Sequence, residues 1–528
     1  MTKTSTDLAS AAHKPTPHSS ETFTETRALR VVVVGAGFGG LGVGRELKQA
    51  GIDEFLIFDE NPEVGGVWWD NTYPGANCDI PSHLYSFGFD PYEDPTTRYP
   101  DQQAILNYLR EITDRHGLRP HLRPNTAIAA ASYNDADGRW AITTRSGETY
   151  CADSVVWAVG QLHRPHIPEI PGQGAFVGAA FHSARWDHDI EWAGRDVAVI
   201  GTGSSGAQIV GEVARTARSV TVYQRTPAWI LPKPADRFGP LTRWAFAHFP
   251  ALHALYRAAI YHATDRVLPA IMTGGWSARP AQWVARMHLW WRIRDRELRA
   301  RLTPRYRIGE KRILIDNSFY SALRQPHVQL VTDPIDCLTT DSVRTSDGTE
   351  RRADIVVWAT GFKAPEFLAP ITIRGRNGVA LHEQWREGAE AFCGLAVEGF
   401  PSMWLVAGPN AFHPAGSNPT MKEFATRFIV RGIQYRDQLG TAIEVSPDAM
   451  QQFRRWLDTA IARTVWSDGV HSWFKHPSGR VTNPWPATSR LFDQMTRQDP
   501  AVSFVAVPQV QSRSLPQPSS VSEEGRSA

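Results

Sequence analysis

Two glycine-rich turns in this sequence have the spacing that binds the pyrophosphate of a dinucleotide. The first reads GAGFGG at 35–40 and follows an apolar run at 29–34, and the second reads GTGSSG at 201–206 and follows a run at 196–200. The first glycine allows the tight bend, the second lets backbone amides approach the pyrophosphate, and the third lets the following helix pack on the strand. We therefore expect electron transfer from a nicotinamide to a second, tightly bound cofactor, of which FAD is the simplest.

The residue that follows the second strand of each unit distinguishes the two nucleotides. Asp59 lies 24 residues after Gly35, and Arg225 lies 24 residues after Gly201. A carboxylate can bind ribose hydroxyls and repels a 2′-phosphate, whereas a guanidinium binds that phosphate bidentately. The first unit should therefore hold a nucleotide without a 2′-phosphate and the second should hold NADPH. The alternative interpretation of Arg225 is a solvated surface charge.

Further apolar runs supply the elements that must position these groups. Runs at 55–58, 219–223 and 354–358 predict buried strands, and the residues after each glycine turn have helical spacing. The predicted fold class is α/β, with two Rossmann-like dinucleotide-binding domains, one for FAD and one for NADP, and a helical insertion in the second. The predicted parts are a disordered leader at 1–27, the first part of the FAD-binding domain at 28–165, the NADP-binding domain at 175–228 and 311–365, the helical insertion at 229–310, the second part of the FAD-binding domain at 385–506 and a disordered tail at 507–528.

The insertion is rich in aromatic residues at helical spacing, and Pro250, Pro269 and Pro280 should divide it into several helices. We expect it to cover the active site, with most of its aromatic side chains packed against the second domain. Its arginine-rich end, 292–301, is interpreted as a solvated helix face.

Composition excludes several classes of protein. The chain has 56 basic and 54 acidic residues, a net charge of +2, so it lacks the basic excess of a nucleic-acid-binding protein. Its four cysteines form no CxxC pair, which argues against a disulfide framework, a dithiol centre or a zinc site, and no metal is expected. No run of 18 apolar residues predicts a membrane span. We expect a cytoplasmic protein, as a monomer or homodimer.

Three motifs, in this order along the chain, resemble a known family. The segment 65–79 reads GGVWWDNTYPGANCD, a fingerprint follows at 176–187, and the pair Lys311-Arg312 comes later. The fingerprint, FxGxxxHxxxW followed by Asp, consists of Phe176, Gly178, His182, Trp186 and Asp187. Together they resemble the class B flavoprotein monooxygenases and, within them, the type I Baeyer–Villiger monooxygenases. Details at 472–474 and 482–486 are similar to the branch that includes 4-hydroxyacetophenone monooxygenase.

The resemblance implies an oxidoreductase that uses FAD, NADPH and O₂ to insert one oxygen atom next to a ketone carbonyl, giving an ester or lactone through a flavin C4a-peroxide. It implies that Arg312 stabilises the developing negative charge, that Asp79 orients Arg312 or tunes the protonation of the reduced flavin, and that Lys311 joins Arg225 and Thr226 at the 2′-phosphate. For His182 we favour a hinge or hydrogen-bonding role over that of a base. The predicted cofactor-binding residues are Gly35, Gly37, Phe38, Gly40, Asp59, Gly66, Trp68, Asp79, Tyr85, Gly201, Gly203, Ser204, Ser205, Gly206, Arg225, Thr226, Lys311, Ala359, Thr360 and Gly361.

One segment departs from the family pattern. The turn Gly408-Pro409-Asn410 begins as the family's does, but His413 and Pro414 stand where relatives are rich in glycine. This departure bears on the substrate range. Two alternative functions stay open: an N- or S-oxygenating flavin-containing monooxygenase, and a flavin-binding redox module without oxygenation.

Overall fold

The computed structural model describes residues 28–92, 94, 96–414, 416–467 and 472–508. The leader expected at 1–27 and residues 509–528 of the tail expected at 507–528 lie outside the described residues. Val507, within the expected tail, is buried, and its amide donates to the carbonyl oxygen of Ala442 at 2.8 Å. The strands are β1 (Ala28–Val34), β2 (Phe55–Phe58), β3 (Leu122–Arg123), β4 (Ile128–Asn134), β5 (Arg139–Thr144), β6 (Thr149–Trp157), β7 (Ala179–His182), β8 (Asp196–Ile200), β9 (Ser219–Tyr223), β10 (Ile230–Leu231), β11 (Leu314–Ile315), β12 (Val328–Val331), β13 (Ile335–Leu338), β14 (Ser342–Thr345), β15 (Glu350–Arg352), β16 (Ile355–Trp358), β17 (Thr372–Arg374), β18 (Met403–Leu405), β19 (Ile443–Val445) and β20 (Phe504–Ala506).

Helices connect and flank these strands. The α-helices are α1 (Phe38–Gln49), α2 (Val67–Asp70), α3 (Gln102–Arg115), α4 (Ser204–Val213), α5 (Pro240–His248), α6 (Pro250–Met272), α7 (Ala278–Arg292), α8 (Arg296–Arg301), α9 (Ser318–Ala322), α10 (Leu381–Gln384), α11 (Asn418–Leu439), α12 (Pro447–Ala462) and α13 (Ser489–Thr496). Short 3₁₀ helices occupy Arg119–His121, Gln173–Ala175, Ser183–Arg185, Arg376–Gly378 and Pro500–Val502.

Two separate sheets form the centres of two nucleotide-binding units. The first has the order β17-β4-β5-β6-β1-β2-β3, with β18 also paired to β6, and its β1, β2 and β6 are parallel. The second has the order β12-β9-β8-β16-β7, and all of its pairs are parallel. Strands such as β2 and β8 are buried throughout, as expected for parallel strands covered on both faces.

The chain order within the first sheet explains why the first unit is split. Strand β18 pairs in parallel with β6, with Met403 opposite Val155, so a segment that follows the second sheet in sequence returns to the first sheet. Helix α11 then packs along α1, where a Cβ added to Gly42 would lie 3.3 Å from Cγ2 of Thr426. The small residue thus allows the close approach of the two helices.

The insertion is helical, as predicted, and two of the three prolines expected to divide it lie in the first turn of a helix, where the prediction puts a break. Pro250 is the first residue of α6 and Pro280 lies in the first turn of α7, where amide donors have no intrahelical partner. Pro269 lies inside α6, so the predicted break there is wrong. Because Pro269 stands only three residues before the helix ends at Met272, its missing donor affects the last turn alone.

Candidate active site

The first glycine turn has no room for a Cβ atom at either of its two ends. Gly35 has φ +105°, and a Cβ there would lie 2.6 Å from the carbonyl oxygen of Ala158. A Cβ on Gly40 would lie 1.8 Å from the carbonyl oxygen of Gly35, so the start of α1 touches the end of β1. Gly37 faces Gly66, with 3.5 Å between its added Cβ and the Cα of Gly66. The turn therefore lies directly at the N-terminus of α1, a position that suits a pyrophosphate.

The second glycine turn repeats this geometry. Gly201 has φ +111°, and its added Cβ would lie 2.3 Å from the carbonyl oxygen of Ala359. A Cβ on Gly206 would lie 2.2 Å from the carbonyl oxygen of Gly201. Gly203 has no heavy atom within 4 Å of an added Cβ. Space beside the middle glycine is what a bound pyrophosphate needs.

Asp59 lies at the end of β2 and is held against the first turn. Its Oδ2 accepts a hydrogen bond from the amide of Ala36 at 2.6 Å, and its Oδ1 accepts one from the amide of Asn61 at 2.8 Å. Burial raises the pKa of this carboxyl to about 6, although both amide donors oppose the shift. The carboxylate is thus fixed beside the turn, at the position expected for a group that binds ribose hydroxyls.

Three of the predicted aromatic residues form one cluster next to the first turn. The Phe38 and Tyr85 rings meet edge to face with centroids 5.4 Å apart, and the Trp68 and Tyr85 rings do so at 5.6 Å. The indole nitrogen of Trp68 also donates to the Tyr85 hydroxyl at 3.1 Å. Burial raises the pKa of Tyr85, so the phenol stays protonated. The cluster can form an apolar wall but offers no acid or base at neutral pH.

Sequence reasoning missed a lysine beside this wall. The Lys422 ammonium lies 5.9 Å from the centroid of the Phe38 ring, and burial lowers its pKa to about 8. It forms no ion pair with a carboxylate of the described residues. Lys422 lies near Phe38, and one turn further along each helix Thr426 lies near Gly42. Helices α1 and α11 therefore run in the same direction, with both N-termini at the same end. An anionic group of FAD fits between a helix N-terminus and an unpaired cation.

Lys422→Met should weaken FAD binding by about tenfold or more, because a charge-assisted contact is lost while the volume of the side chain is kept. The dissociation constant of FAD, measured by equilibrium dialysis, tests this. Lys48→Met is the matched control, since Lys48 lies in the last turn of the same α1 and pairs with Asp53 at 3.8 Å. Equal FAD affinity in the two variants would remove Lys422 from the site.

At the second unit, two basic residues predicted for one phosphate lie close enough to interact. Arg225 follows β9 and is exposed, and Thr226 next to it is half-buried. Burial lowers the pKa of the Lys311 ammonium, and the positive charge of Arg225 lowers it further. Like charges held together in this way favour an anion between them. Lys311 also lies 5.3 Å from the centroid of the Tyr306 ring, which helps to fix it.

The two residues predicted to be catalytic form an ion pair that joins the two units. Nη2 of Arg312, from the segment before β11, donates to Oδ1 and Oδ2 of Asp79 at 2.8 and 3.0 Å. The Asp79 side chain is 13% exposed and that of Arg312 is 26% exposed, so part of the guanidinium stays accessible. The Asp79 charge raises the pKa of Arg312 further, which keeps the cation permanent. One nitrogen is bound by Asp79, and the others can face a reacting oxygen.

The segment 65–79 contacts the second unit and the insertion at further points. The Tyr73 hydroxyl donates to Oε1 of Gln208 on α4 at 3.0 Å, and Nε2 of Gln208 donates to the carbonyl oxygen of Asn77 at 3.1 Å. The ammonium of Lys233 donates to Oδ1 of Asn77 at 3.0 Å. Gln208 and Lys233 carry no spacing signal in the sequence. Their role follows only from the packing of α4 and the insertion against the first unit.

The fingerprint residue His182 makes its hydrogen bonds within the second unit. Nε2 of His182 bonds the carbonyl oxygen of Gly361 at 2.9 Å, while its Nδ1 accepts from the amide of Ala184 at 3.1 Å. Burial lowers the pKa of His182 to about 4, so the ring is neutral at pH 7. Both ring nitrogens are occupied, which agrees with a hydrogen-bonding role and leaves none for a base. The hydroxyl of Thr360 bonds the carbonyl oxygen of His166 nearby.

The remaining fingerprint residues contact neighbouring side chains and backbone groups of the protein. Trp186 is buried against Phe181, with ring centroids 5.0 Å apart. A Cβ on Gly178 would lie 2.5 Å from the carbonyl oxygen of Asp354 and 2.6 Å from the Phe176 ring. Asp187 is exposed and accepts from the amide of Asp189 at 3.0 Å. An ion pair of 3.1 Å between Arg185 and Asp70 ties this segment to the first unit.

The segment that departs from the family pattern, at His413 and Pro414, comes just after the turn Gly408-Pro409-Asn410, which hydrogen bonds hold in place. Nδ2 of Asn410 donates to the carbonyl oxygens of Val481 and Pro484 at 3.0 and 3.2 Å. His413 is buried, and neither ring nitrogen has a hydrogen-bond partner among the described residues. Burial lowers the pKa of His413 to about 4. Its ring crowds Gly416, whose added Cβ would lie 2.5 Å from Nδ1, so the imidazole fills the space that glycine leaves.

Comparison with known proteins decides the family. Residues 32–251 match the family model of pyridine nucleotide-disulphide oxidoreductases. A Baeyer–Villiger monooxygenase of Streptomyces coelicolor is 37% identical over 473 residues, which are 89% of this chain and 91% of that protein. A Baeyer–Villiger monooxygenase of Pseudomonas aeruginosa is 34% identical over 501 residues, 93% of each. This chain belongs to the Baeyer–Villiger monooxygenase family.

Solved structures agree with this assignment. Cyclohexanone monooxygenase from Rhodococcus sp. Phi1, bound to NADP⁺, matches with a TM-score of 0.82 and 28% identity over 91% of this chain and 99% of that one. An oxidized steroid monooxygenase bound to NADP matches with a TM-score of 0.80 and 27% identity, over 91% and 99%. The predicted fold class, family and enzyme class, a flavoprotein monooxygenase of Baeyer–Villiger type, are therefore confirmed. The likeness to the 4-hydroxyacetophenone monooxygenase branch stays a prediction.

Proposed function

We propose that this enzyme inserts one oxygen atom of O₂ next to the carbonyl of an apolar ketone, at a site where Arg312 and Asp79 meet. The prediction of FAD and NADPH as cofactors is confirmed by the monooxygenases it resembles, among them a structure that contains NADP⁺. Bound FAD, once reduced by NADPH, supplies the chemistry that activates O₂. The acceptor is a small-molecule ketone, and the product is an ester or a lactone.

The observation that carries the proposal is the ion pair between the units. Arg312 donates to both oxygens of Asp79, so its plane is fixed before substrate arrives. A fixed guanidinium stabilises negative charge on a reacting oxygen at no cost of reorganisation. The pair takes one residue from each unit, and this supports the proposal that the cation acts where the two cofactors meet.

The other predicted residues take supporting roles in this proposal. Residues 28–165 and 385–506 hold FAD through the first glycine turn, Asp59 and the Trp68 cluster. Residues 175–228 and 311–365 hold NADPH through the second turn, with Arg225 and Lys311 on its 2′-phosphate. His182 fixes the turn at Gly361 and transfers no proton.

Isotope labelling tests the reaction. The holoenzyme with NADPH and ¹⁸O₂ should convert a ketone to an ester that carries one ¹⁸O atom. A thioether offered in place of the ketone tests the alternative function, oxygenation at sulfur. Labelled sulfoxide without any labelled ester would contradict the proposal, and so would NADPH oxidation that gives neither product.

Arg225→Ala should raise the KM for NADPH by about tenfold or more and leave the KM for NADH almost unchanged, because a charged contact to the 2′-phosphate costs ~1.5–3 kcal/mol to lose. Steady-state kinetics with both nucleotides measure this. Arg215→Ala, which removes an exposed arginine of the same unit paired with Glu212, is the control. A proportional loss with both nucleotides would contradict the assignment of Arg225.

Location and assembly are proposed at a coarser level. All four cysteines are free, which supports a reducing compartment such as the cytosol. Among the described residues no helix is long and apolar enough to cross a membrane. We propose that the enzyme works as a monomer or homodimer.

A further inference from the structure

Helix α7 has two apolar faces, and the protein covers only one of them. The inner face, with Ala285 and Leu289, is buried against the second unit and the rest of the insertion. The outer face is formed by Trp283, Val284, Met287, Trp290 and Trp291, whose exposed fractions are 65%, 38%, 39%, 54% and 66%. At 100° per residue these five side chains lie within about 120° of arc. We call them the outer α7 face.

This exposure contradicts the expectation that most aromatic residues of the insertion pack on the second domain. Trp276, in the turn before α7, is 70% exposed and extends the apolar surface. A surface helix normally has a polar outer side, and a contiguous exposed apolar patch marks a surface that binds something. Single exposed hydrophobic residues need no explanation, but five on one face of one helix do.

The segment that contains this face is strongly basic. Residues 274–307 contain nine arginines and only two carboxylates, Asp295 and Glu297, although the whole chain has a net charge of just +2. Besides Arg286, five of these arginines are exposed and form no ion pair with a carboxylate of the described residues: Arg279, Arg294, Arg296, Arg301 and Arg305. Arg286 is used otherwise, since it lies 5.7 Å from the centroid of the Trp229 ring. The partner of this surface should therefore be apolar and negatively charged.

We propose that the outer α7 face docks on the surface of a bilayer that contains anionic phospholipids. Tryptophan is the side chain that prefers the boundary between headgroups and acyl chains, and arginine binds lipid phosphates. An amphipathic helix with Trp on one side and arginines around it lies in the plane of that boundary. The contact is peripheral, which agrees with the lack of a membrane-spanning helix among the described residues.

A second copy of the chain is the competing occupant, and charge disfavours it. A two-fold interface brings the same patch of both copies together. The five exposed, unpaired arginines of 274–307 would then lie near five others, with only four carboxylates of the two segments to offset the repulsion. An anionic lipid surface has the opposite charge and no such conflict.

Vesicle binding by the holoenzyme tests the proposal. Vesicles of equal parts phosphatidylglycerol and phosphatidylcholine should sediment the enzyme, vesicles of phosphatidylcholine alone should do so far less, and added salt should release it. The salt response needs no variant, so it stands even if a variant fails to fold. Wild-type enzyme that stays in solution with the anionic vesicles would overturn the proposal.

Two variants separate the apolar and the charged contributions. Trp283→Ala/Trp290→Ala/Trp291→Ala should weaken vesicle binding at least about tenfold, because less apolar surface enters the boundary. Arg294→Gln/Arg296→Gln/Arg301→Gln should weaken it about a hundredfold, since each arginine near an anionic surface contributes about fivefold. Both should keep bound FAD and their unfolding temperature, because the changed side chains are mostly exposed.

Matched controls come from exposed residues elsewhere. Val177→Ser/Val502→Ser removes two apolar side chains that are 81% and 71% exposed, and Arg386→Gln removes an arginine side chain that is 84% exposed. Neither should change vesicle binding. Equal losses in controls and test variants would overturn the proposal. The proposal would also be overturned by a different pair of results: the wild type does not bind vesicles, and sedimentation velocity shows a wild-type dimer that is absent in the tryptophan variant.

Discussion

Arg312→Ala should almost abolish ester formation while NADPH consumption continues. The guanidinium is the fixed cation at the junction of the two units, and Asp79 orients it through Oδ1 and Oδ2 at 2.8 and 3.0 Å. Removing one preorganised donor to a developing oxyanion costs ~2.7–4 kcal/mol, or about 10²–10³ in rate. The glycine turns and Arg225 are untouched, so NADPH still binds and the reducing equivalents leave as hydrogen peroxide. Paired assays of NADPH loss, hydrogen peroxide and ester measure this uncoupling.

Two further variants make the result specific to this cation. Arg312→Lys should restore little ester, because the donors of an ammonium all start from one nitrogen and cannot reproduce the guanidinium's planar fork, in which Nη2 binds Asp79 and other nitrogens can face the reacting oxygen. Arg139→Ala is the matched control, since Arg139 is 29% exposed and pairs with Asp153 at 2.9 Å within the first unit. That control should keep its yield of ester per NADPH. An unchanged yield in Arg312→Ala would exclude the residue from the reaction.

The two nucleotide units could be predicted because their signals are local. Strands β2, β8 and β9 have the bounds that the apolar runs indicate, and Gly40 and Gly206 stand where a Cβ would meet the carbonyl oxygen of the preceding turn. A glycine turn between a buried strand and a helix constrains its own backbone, so neighbouring residues suffice to identify it. The pairing of Arg312 with Asp79 came instead from the resemblance to the family, because 233 residues separate the two.

Other features depend on packing that the sequence does not express. In the sequence, Lys422 is one polar residue of a long helical segment. Only the packing of α11 along α1 brings its ammonium to 5.9 Å from the centroid of the Phe38 ring. Apolar residues occupy both faces of α7, so periodicity could not tell the covered face from the exposed one. A signal existed in the seven-residue spacing of Trp276, Trp283 and Trp290 together with the arginine excess.

Gly206→Ala should greatly lower both the rate of flavin reduction by NADPH and the stability of the fold. Gly203→Ala should leave the stability of the fold unchanged. The Cβ added at Gly206 would lie 2.2 Å from the carbonyl oxygen of Gly201 and 3.3 Å from the Cβ of Ala359, so α4 must move away from β8. Overpacking of this kind lowers the free energy of unfolding by about 1–3 kcal/mol. A displacement of about 1 Å in a positioning element costs about 10² in rate, which is the fall we expect for flavin reduction by NADPH.

Gly203 supplies the contrast, because the same methyl group there meets no heavy atom within 4 Å and the backbone has φ −74°. Gly203→Ala should therefore keep the wild-type unfolding temperature without nucleotide, yet raise the KM for NADPH, since the methyl enters the space that the pyrophosphate needs. Thermal unfolding without NADPH measures packing, and stopped-flow reduction of the flavin measures nucleotide placement. Because the two variants differ only in where one methyl group lies, they separate the third glycine's contact with the strand from the second glycine's contact with the ligand. Equal destabilisation by both would contradict these two roles.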